Sequence, residues 1–359
     1  MSEYKCLESI NSLYVEQTEL GYNAIPCCAF ANKHQNYVPN IEDLLDNPVM
    51  NEIREGFKGD WKRDECISCV HNEQIGKQSK RERSLQRPAD QITRWDLRPG
   101  NTCNLKCAMC NPWNSSKWYE DIDVFKKYRG NQVINENNRQ ARESLDWDWI
   151  YKNCVDKAES IYIAGGEPFY MKSVQRFIKK LSQNEWNCKN TEILIQTNGV
   201  SNTPAFLNSL SNFKKLSFSI SVDGWGSVND LIRFPTQHSD FLKNTQELID
   251  LNCEYTFFNI TVQAMNLPNI DKLVVKLKET WNGRYDIHKL TKPNHLEVNC
   301  LKPQVVERVL HDTKVPELKE FYKNYKYNSK MNQRMQWFLA DLDKKRGTKS
   351  RKIIPWCFE

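Results

Sequence analysis

Between residues of about 90 and 305 the chain alternates two hydrophobic rhythms. Short runs with a period of two, or continuously apolar, predict strands at Ile92–Arg98, Glu159–Ala164, Glu192–Thr197, Leu216–Asp223, Tyr255–Ala264 and Leu296–Leu301. Between them, Val174, Phe177, Ile178 and Leu181 fall at i, i+3, i+4, i+7, as do Ile270, Leu273, Val274 and Leu277. That spacing gathers apolar side chains on one face of a helix. Strand and helix in alternation predict α/β architecture built of βα units. Six strands are too few for a closed eight-stranded barrel, so the pattern predicts a partial (β/α)6 TIM-type barrel, with an open doubly wound sheet as the alternative.

The polar positions add a second expectation. Leu216, Phe218, Ile220 and Val222 share one face of their strand, and Ser217, Ser219, Ser221 and Asp223 share the other. The first strand likewise puts Arg94, Asp96 and Arg98 together, and the fifth puts Asn259, Thr261 and Gln263 together. Polar faces on several strands predict a lumen for a polar ligand, held at the C-terminal strand ends. Flanking this region, residues 1–88 read as a small cysteine-rich N-terminal domain, 89–305 as the core, and 306–359 as a helical C-terminal tail.

Composition narrows the class. The chain has 359 residues, is 39% hydrophobic and carries 13 cysteines. No apolar run reaches the length of a membrane span, and the N-terminus lacks a signal pattern. Thirteen cysteines without a signal predict a cytoplasmic, reducing setting and metal or redox use rather than disulfides. The net charge of +6 and the basic run from Lys77 to Arg87 leave nucleic acid as a weak candidate partner, a solvated helix or linker being the plainer reading of the run.

The densest chemical signal is Cys103, Cys107 and Cys110, spaced C-x3-C-x2-C directly after the first strand. Three thiolates on one loop can hold three corners of a [4Fe–4S] cluster and leave the fourth iron open. After the second strand come Gly165, Gly166, Glu167 and Pro168, a turn in which glycines permit close approach and an acid can accept from an amine. Gln196-Thr-Asn198-Gly199 ends the third strand, Ser221-Val-Asp223-Gly224 the fourth, and Arg233 lies nine residues on. Each piece alone has a plain structural reading: a dipole-balancing acid, a turn, a surface arginine. Their order and spacing together are informative.

In that order the chain resembles the radical S-adenosylmethionine (SAM) enzymes over roughly residues 90–305. The resemblance implies a [4Fe–4S] cluster on Cys103, Cys107 and Cys110 that binds SAM. It also implies SAM contacts from Gly165, Gly166, Glu167, Pro168, Asn198, Ser221, Asp223 and Arg233. Met109 departs from the aromatic residue often found before the third cysteine, though a thioether can pack on adenine. The N-terminal part is similar to a half-SPASM ("twitch") auxiliary-cluster module, here placed before the core. Cys6, Gly21, Cys27-Cys28, Cys66, Cys69, Gly76, Ser79 and Arg81 carry that likeness. It implies a second [4Fe–4S] cluster on Cys6, Cys27, Cys66 and Cys69, with a structural zinc as the alternative and Cys27 versus Cys28 open. Reductive cleavage of SAM to a 5′-deoxyadenosyl radical is the implied activity, on a peptide, protein or small molecule, with flavodoxin or ferredoxin as electron donor. Nucleobase or tRNA modification, and a zinc-stabilised binding module without catalysis, are the alternatives. Cys154, Cys188, Cys253, Cys300 and Cys357 read as packing residues, and Trp113 and Trp118 as lining of a cleft or core.

Overall fold

The computed structural model describes residues 6–30, 36–58, 64–74, 76, 78–86, 91–129, 143, 145–251 and 253–359. Of the basic run, residues 77 and 87 lie outside these. The strands are β1 (Ser12–Thr18), β2 (Gly21–Asn23), β3 (Tyr37–Val38), β4 (Arg94–Arg98), β5 (Ser160–Ile163), β6 (Glu192–Thr197), β7 (Lys215–Ser221), β8 (Tyr255–Val262) and β9 (Arg284–Lys289). They form one nine-stranded sheet in the order β3-β2-β1-β4-β5-β6-β7-β8-β9. From β1 through β9 along that order every pairing is parallel, and only β2 and β3 pair antiparallel. The parallel strands β1-β4-β5-β6-β7-β8-β9 follow chain order, and the order turns back only at β1, where β2 and β3 add as an antiparallel extension, so the parallel part has no switch point of the doubly wound kind. The fold is mixed α/β, of the partial TIM-type barrel class, with a helical C-terminal region.

Alternation decides which face is wet. Leu97, Ile161, Ile163, Ile193, Ile195, Phe218, Ile220 and Phe258 point outward and are fully buried under the helices. The helix α1 (Ile122–Arg129) follows the cysteine loop, α2 (Lys172–Leu181) follows β5, and α3 (Ile270–Trp281) follows β8. The predicted stripes on α2 and α3 are the buried ones. The inner face is polar: Arg98 lies against the rings of Tyr14 and Tyr162, Tyr162 donates to Gln196, and Asn259 donates to Ser219.

Five predicted strands correspond to β4 through β8 within one or two residues. The sixth does not. Leu296–Leu301 forms two 3-10 turns, Asn294–Leu296 and Val298–Cys300, and the last parallel strand is β9. The alternating run 296–301 buries Leu296, Val298, Cys300 and Leu301 and leaves Glu297 and Asn299 half-exposed; it lies beneath the helix α4 (Ser329–Arg346), whose Asn332 side chain donates to the Cys300 carbonyl at 2.7 Å. β9 sits at the sheet edge, with most side chains exposed, so its sequence carries little apolar signal. β1, which precedes all the predicted strands, pairs with β4 over five residues and puts Tyr14 and Glu16 beside the lumen arginine Arg98.

Candidate active site

The loop after β4 is fixed before any cofactor is considered. Lys106 N donates to the Phe234 carbonyl and Ala108 N to the Ile232 carbonyl, both at 2.7 Å, and Trp118 Nε1 donates to the Cys107 carbonyl at 2.9 Å. These bonds satisfy backbone groups that burial would otherwise leave costly. Cys103 is buried, while Cys107 and Cys110 are half-buried. Burial pushes the Cys103 thiol well up and the Cys107 thiol to about 12, although the Arg233 guanidinium works against it at Cys107.

Two strand-end turns and the end of the short helix Ser227–Ile232 converge on this loop. Glu167 N donates to the Thr102 carbonyl at 2.9 Å, Asn198 Nδ2 donates to Asn104 Oδ1 at 2.8 Å, and Arg233 Nη1 lies 3.9 Å from Cys107 Sγ. Gly166 has φ +51°, and a Cβ there would stand 2.4 Å from the Thr102 carbonyl oxygen. Its glycine is therefore required by the cysteine loop itself as much as by any ligand.

Glu167 caps the Pro168–Tyr170 turn. Its carboxylate accepts from Phe169 N at 3.0 Å, Thr197 Oγ1 at 2.7 Å and Asn198 N at 2.6 Å. The side chain is fully buried, and desolvation pushes its carboxyl up to about 7 despite those donors. All three are neutral, so a cationic or amine donor is the partner this carboxylate lacks. Asp223 is differently committed. It accepts from Thr261 N at 2.8 Å and pairs with Arg233 Nε at 2.8 Å, so it aims the guanidinium toward Cys107. Ser221, at the end of β7, is buried at the same end of the lumen.

The residues fit the groups their chemistry suggests. Three thiols lie on one loop, with Cys107 beside the buried Arg233 guanidinium, which suits an anionic thiolate-held cluster, and the buried Glu167 carboxyl accepts only from neutral donors. Among the described residues no three His, Cys, Asp or Glu side chains already stand in metal-binding geometry.

At the opposite ends of the strands Cys6, Cys27, Cys66 and Cys69 line one small cavity, with Phe30, Phe57, Lys80 and Arg81. Cys28 instead lines a separate cavity of about 450 Å³ at the foot of the lumen, where Lys80 Nζ lies 3.3 Å from its Sγ. Lys80 also pairs with Glu8 at 2.9 Å, and Arg81 with Glu73 at 2.7 Å. Ser79 and Glu82 close a capping box on the Lys80–Leu85 helix. Gly21 has φ +115° and no room for a Cβ against the Val38 carbonyl.

Sequence reasoning missed the brace behind the cysteine loop. Trp118 is fully buried under the loop rather than lining a cleft, and Arg346, from the end of α4, stacks over its ring at 4.9 Å. Arg346 Nε pairs with Asp121 at 2.7 Å, and Asp121 in turn holds Lys106, between the first two cysteines, at 2.9 Å. More than 200 residues separate Asp121 from Arg346 in sequence, and no local pattern joins them. Trp113 stays half-buried and lines a groove beside the loop.

The family model for the Radical SAM superfamily matches residues 97–274, from the end of β4 into α3. That span contains the three cysteines, the Gly165–Pro168 turn and Arg233. It is a radical SAM domain. The family that this span matches implies a [4Fe–4S] cluster and SAM, with the reaction subclass open. No curated protein matches the chain in sequence. Solved structures with weaker likeness include anSMEcpe with bound AdoMet and the Cp18Cys peptide, 17% identical, with a TM-score of 0.43 over 64% of this chain and 61% of that one. Streptococcus suis SuiB bound to precursor peptide SuiA is 13% identical, with a TM-score of 0.39 over 98% and 74%. TYW1 with a lysine–pyruvate adduct is 13% identical, with a TM-score of 0.33 over 62% and 72%. The chain spans about three fifths of the length of the first of these. Among the described residues no helix is long and apolar enough to cross a membrane.

Proposed function

We propose that this protein binds a [4Fe–4S] cluster through Cys103, Cys107 and Cys110, cleaves SAM reductively, and oxidises or epimerises a peptide or small molecule by hydrogen abstraction. The observation that carries the reading is the convergence of Thr102, Asn104 and Cys107 on Glu167, Asn198 and Arg233 through direct contacts. When bound, the cluster supplies the electron that cleaves SAM to methionine and a 5′-deoxyadenosyl radical.

The chain's own residues then have separate tasks. Glu167, already capped by three neutral donors, accepts from the SAM amine. Arg233, steered by Asp223, faces the SAM carboxylate and offsets the negative charge of the thiolates. Asp223, with both oxygens engaged, orients Arg233, and contact with the ribose falls to Ser221. Gly165, Gly166 and Pro168 hold the turn against the cysteine loop, and Asn198 ties the third strand end to it. Met109 packs beside the adenine.

We further propose that Cys6, Cys27, Cys66 and Cys69 hold a second [4Fe–4S] cluster, reduced through flavodoxin or ferredoxin. The shared cavity favours Cys27 over Cys28, and four thiols suit either iron–sulfur or zinc. Against a tRNA substrate, Lys80 and Arg81 of the basic run are committed to Glu8 and Glu73 inside the protein. The test is 5′-deoxyadenosine release from SAM with dithionite, by reconstituted wild type and by the Cys103→Ala, Cys107→Ala, Cys110→Ala variant. Release that persists in the variant overturns the assignment.

A further inference from the structure

Beside the cysteine loop lies a groove of about 670 Å³, whose lining includes Trp113, Tyr128, Lys292, Asn294, Met331 and Arg334. It begins at the residue preceding Cys110 and runs between α1, the loop after β9 and the start of α4. Its volume suits one ligand larger than an amino acid.

The charge of its lining is one-sided. No Asp or Glu is among the lining residues, while Lys292 and Arg334 both are. Of the cations near it, Lys127 pairs with Asp341, Lys345 with Asp123, Arg346 with Asp121, and Lys106 with Asp121 and Glu120. Among the described residues Lys292 and Arg334 pair with no carboxylate. Arg334 donates instead to the Tyr128 carbonyl at 2.5 Å and stacks over the Tyr128 ring. Two cations left without counter-ions at one groove are matched by an anion.

The rest of the lining selects the anion's body. Trp113, half-buried and edge-on to Phe125 at 5.5 Å, offers an aromatic surface, and the Met331 thioether offers adaptable apolar contact. Asn294 has an amide donor and acceptor with no described side-chain partner, as a peptide group needs. A phosphodiester backbone would use donors alone.

We propose that this groove binds a segment of the peptide substrate in which a carboxylate lies next to an aromatic side chain, anchoring the substrate beside the cysteine loop. The proposal rests on the radical SAM reading, since it places the anchor next to the loop that holds the cluster. Lys292 and Arg334 take the carboxylate, and Trp113 takes the ring.

The probe is an acetylated tetrapeptide amide with adjacent tryptophan and glutamate, compared with its glutamine counterpart by titration calorimetry on the reconstituted full chain. The expected result is about tenfold tighter binding of the glutamate peptide. That preference should vanish in Lys292→Met, Arg334→Met. Lys292→Gln alone, at an exposed position, should reduce it even if the double variant folds poorly. Equal affinity of the two peptides for wild type, or an unchanged preference in Lys292→Gln, overturns the proposal. Tighter binding of a short RNA oligonucleotide than of the glutamate peptide, abolished by the same changes, also overturns it in favour of nucleic acid. Deoxyadenosine release measured on the same wild-type preparation separates the two readings: release without peptide preference sinks the groove alone.

Discussion

Replacing Arg346 by Met tests the brace behind the cysteine loop. Arg346 and Asp121 are both about 1% exposed and meet at 2.7 Å, with the guanidinium stacked over Trp118 at 4.9 Å and Phe234 at 5.3 Å. Removing one partner of a buried pair costs about 3–5 kcal/mol, because the other charge stays buried and uncompensated. Here Asp121 keeps Lys106 at 2.9 Å, so the loss should fall near the lower end, at about 3 kcal/mol. Methionine keeps much of the apolar stem, which isolates the charge from the packing. The assay is urea unfolding at matched protein concentration, reading a lower midpoint at an unchanged slope. Adding Asp121→Asn should recover part of the loss by removing the stranded carboxylate. A cost under about 1 kcal/mol for Arg346→Met would refute the brace, since that is the range of an exposed pair.

Other perturbations bear on the site directly. Gly166→Ala would press a Cβ to within 2.4 Å of the Thr102 carbonyl oxygen at φ +51°, so it should cost about 1–3 kcal/mol and displace the cysteine loop, read as lost iron per chain. Glu167, pushed up to about 7 in the fold, keeps its proton longer than in the unfolded chain, so the apo-protein should lose about 3 kcal/mol of stability as pH rises from 4.5 to 7. Urea midpoints at pH 5 and 8 check this, and Glu167→Gln should flatten that part of the profile. Cys66→Ala with Cys69→Ala should halve the iron content and spare SAM cleavage without substrate. Cys27→Ala should lower iron where Cys28→Ala does not, and the opposite pattern would exchange their roles.

What the sequence could convey follows from how far each signal reaches. Strands β4 to β8 were legible because each buries an apolar face against helices while its other face lines a polar lumen, and both faces appear in the alternation. β9 was not, because its Arg284, Asp286, His288 and Lys289 lie exposed at an edge. The run Leu296–Leu301 misled for a different reason: it buries Leu296, Val298 and Cys300 and leaves Glu297 and Asn299 half-exposed, and two successive 3-10 turns give the same alternation as a strand. At the site, the order of Cys103, Glu167, Asn198 and Arg233 was readable because the first three follow strand ends and Arg233 caps a short helix soon after β7. The Arg346–Asp121–Lys106 chain and the placing of Lys292 and Arg334 on one groove join distant segments, which only the fold brings together.

The central claim is that Cys103, Cys107 and Cys110 present a cluster whose open iron meets SAM. Electron paramagnetic resonance of the dithionite-reduced Cys66→Ala, Cys69→Ala variant, with and without SAM, tests it most directly. The account predicts a reduced [4Fe–4S] signal whose g values shift when SAM is added. A signal unchanged by SAM, or none from iron–sulfide-reconstituted protein, would contradict it.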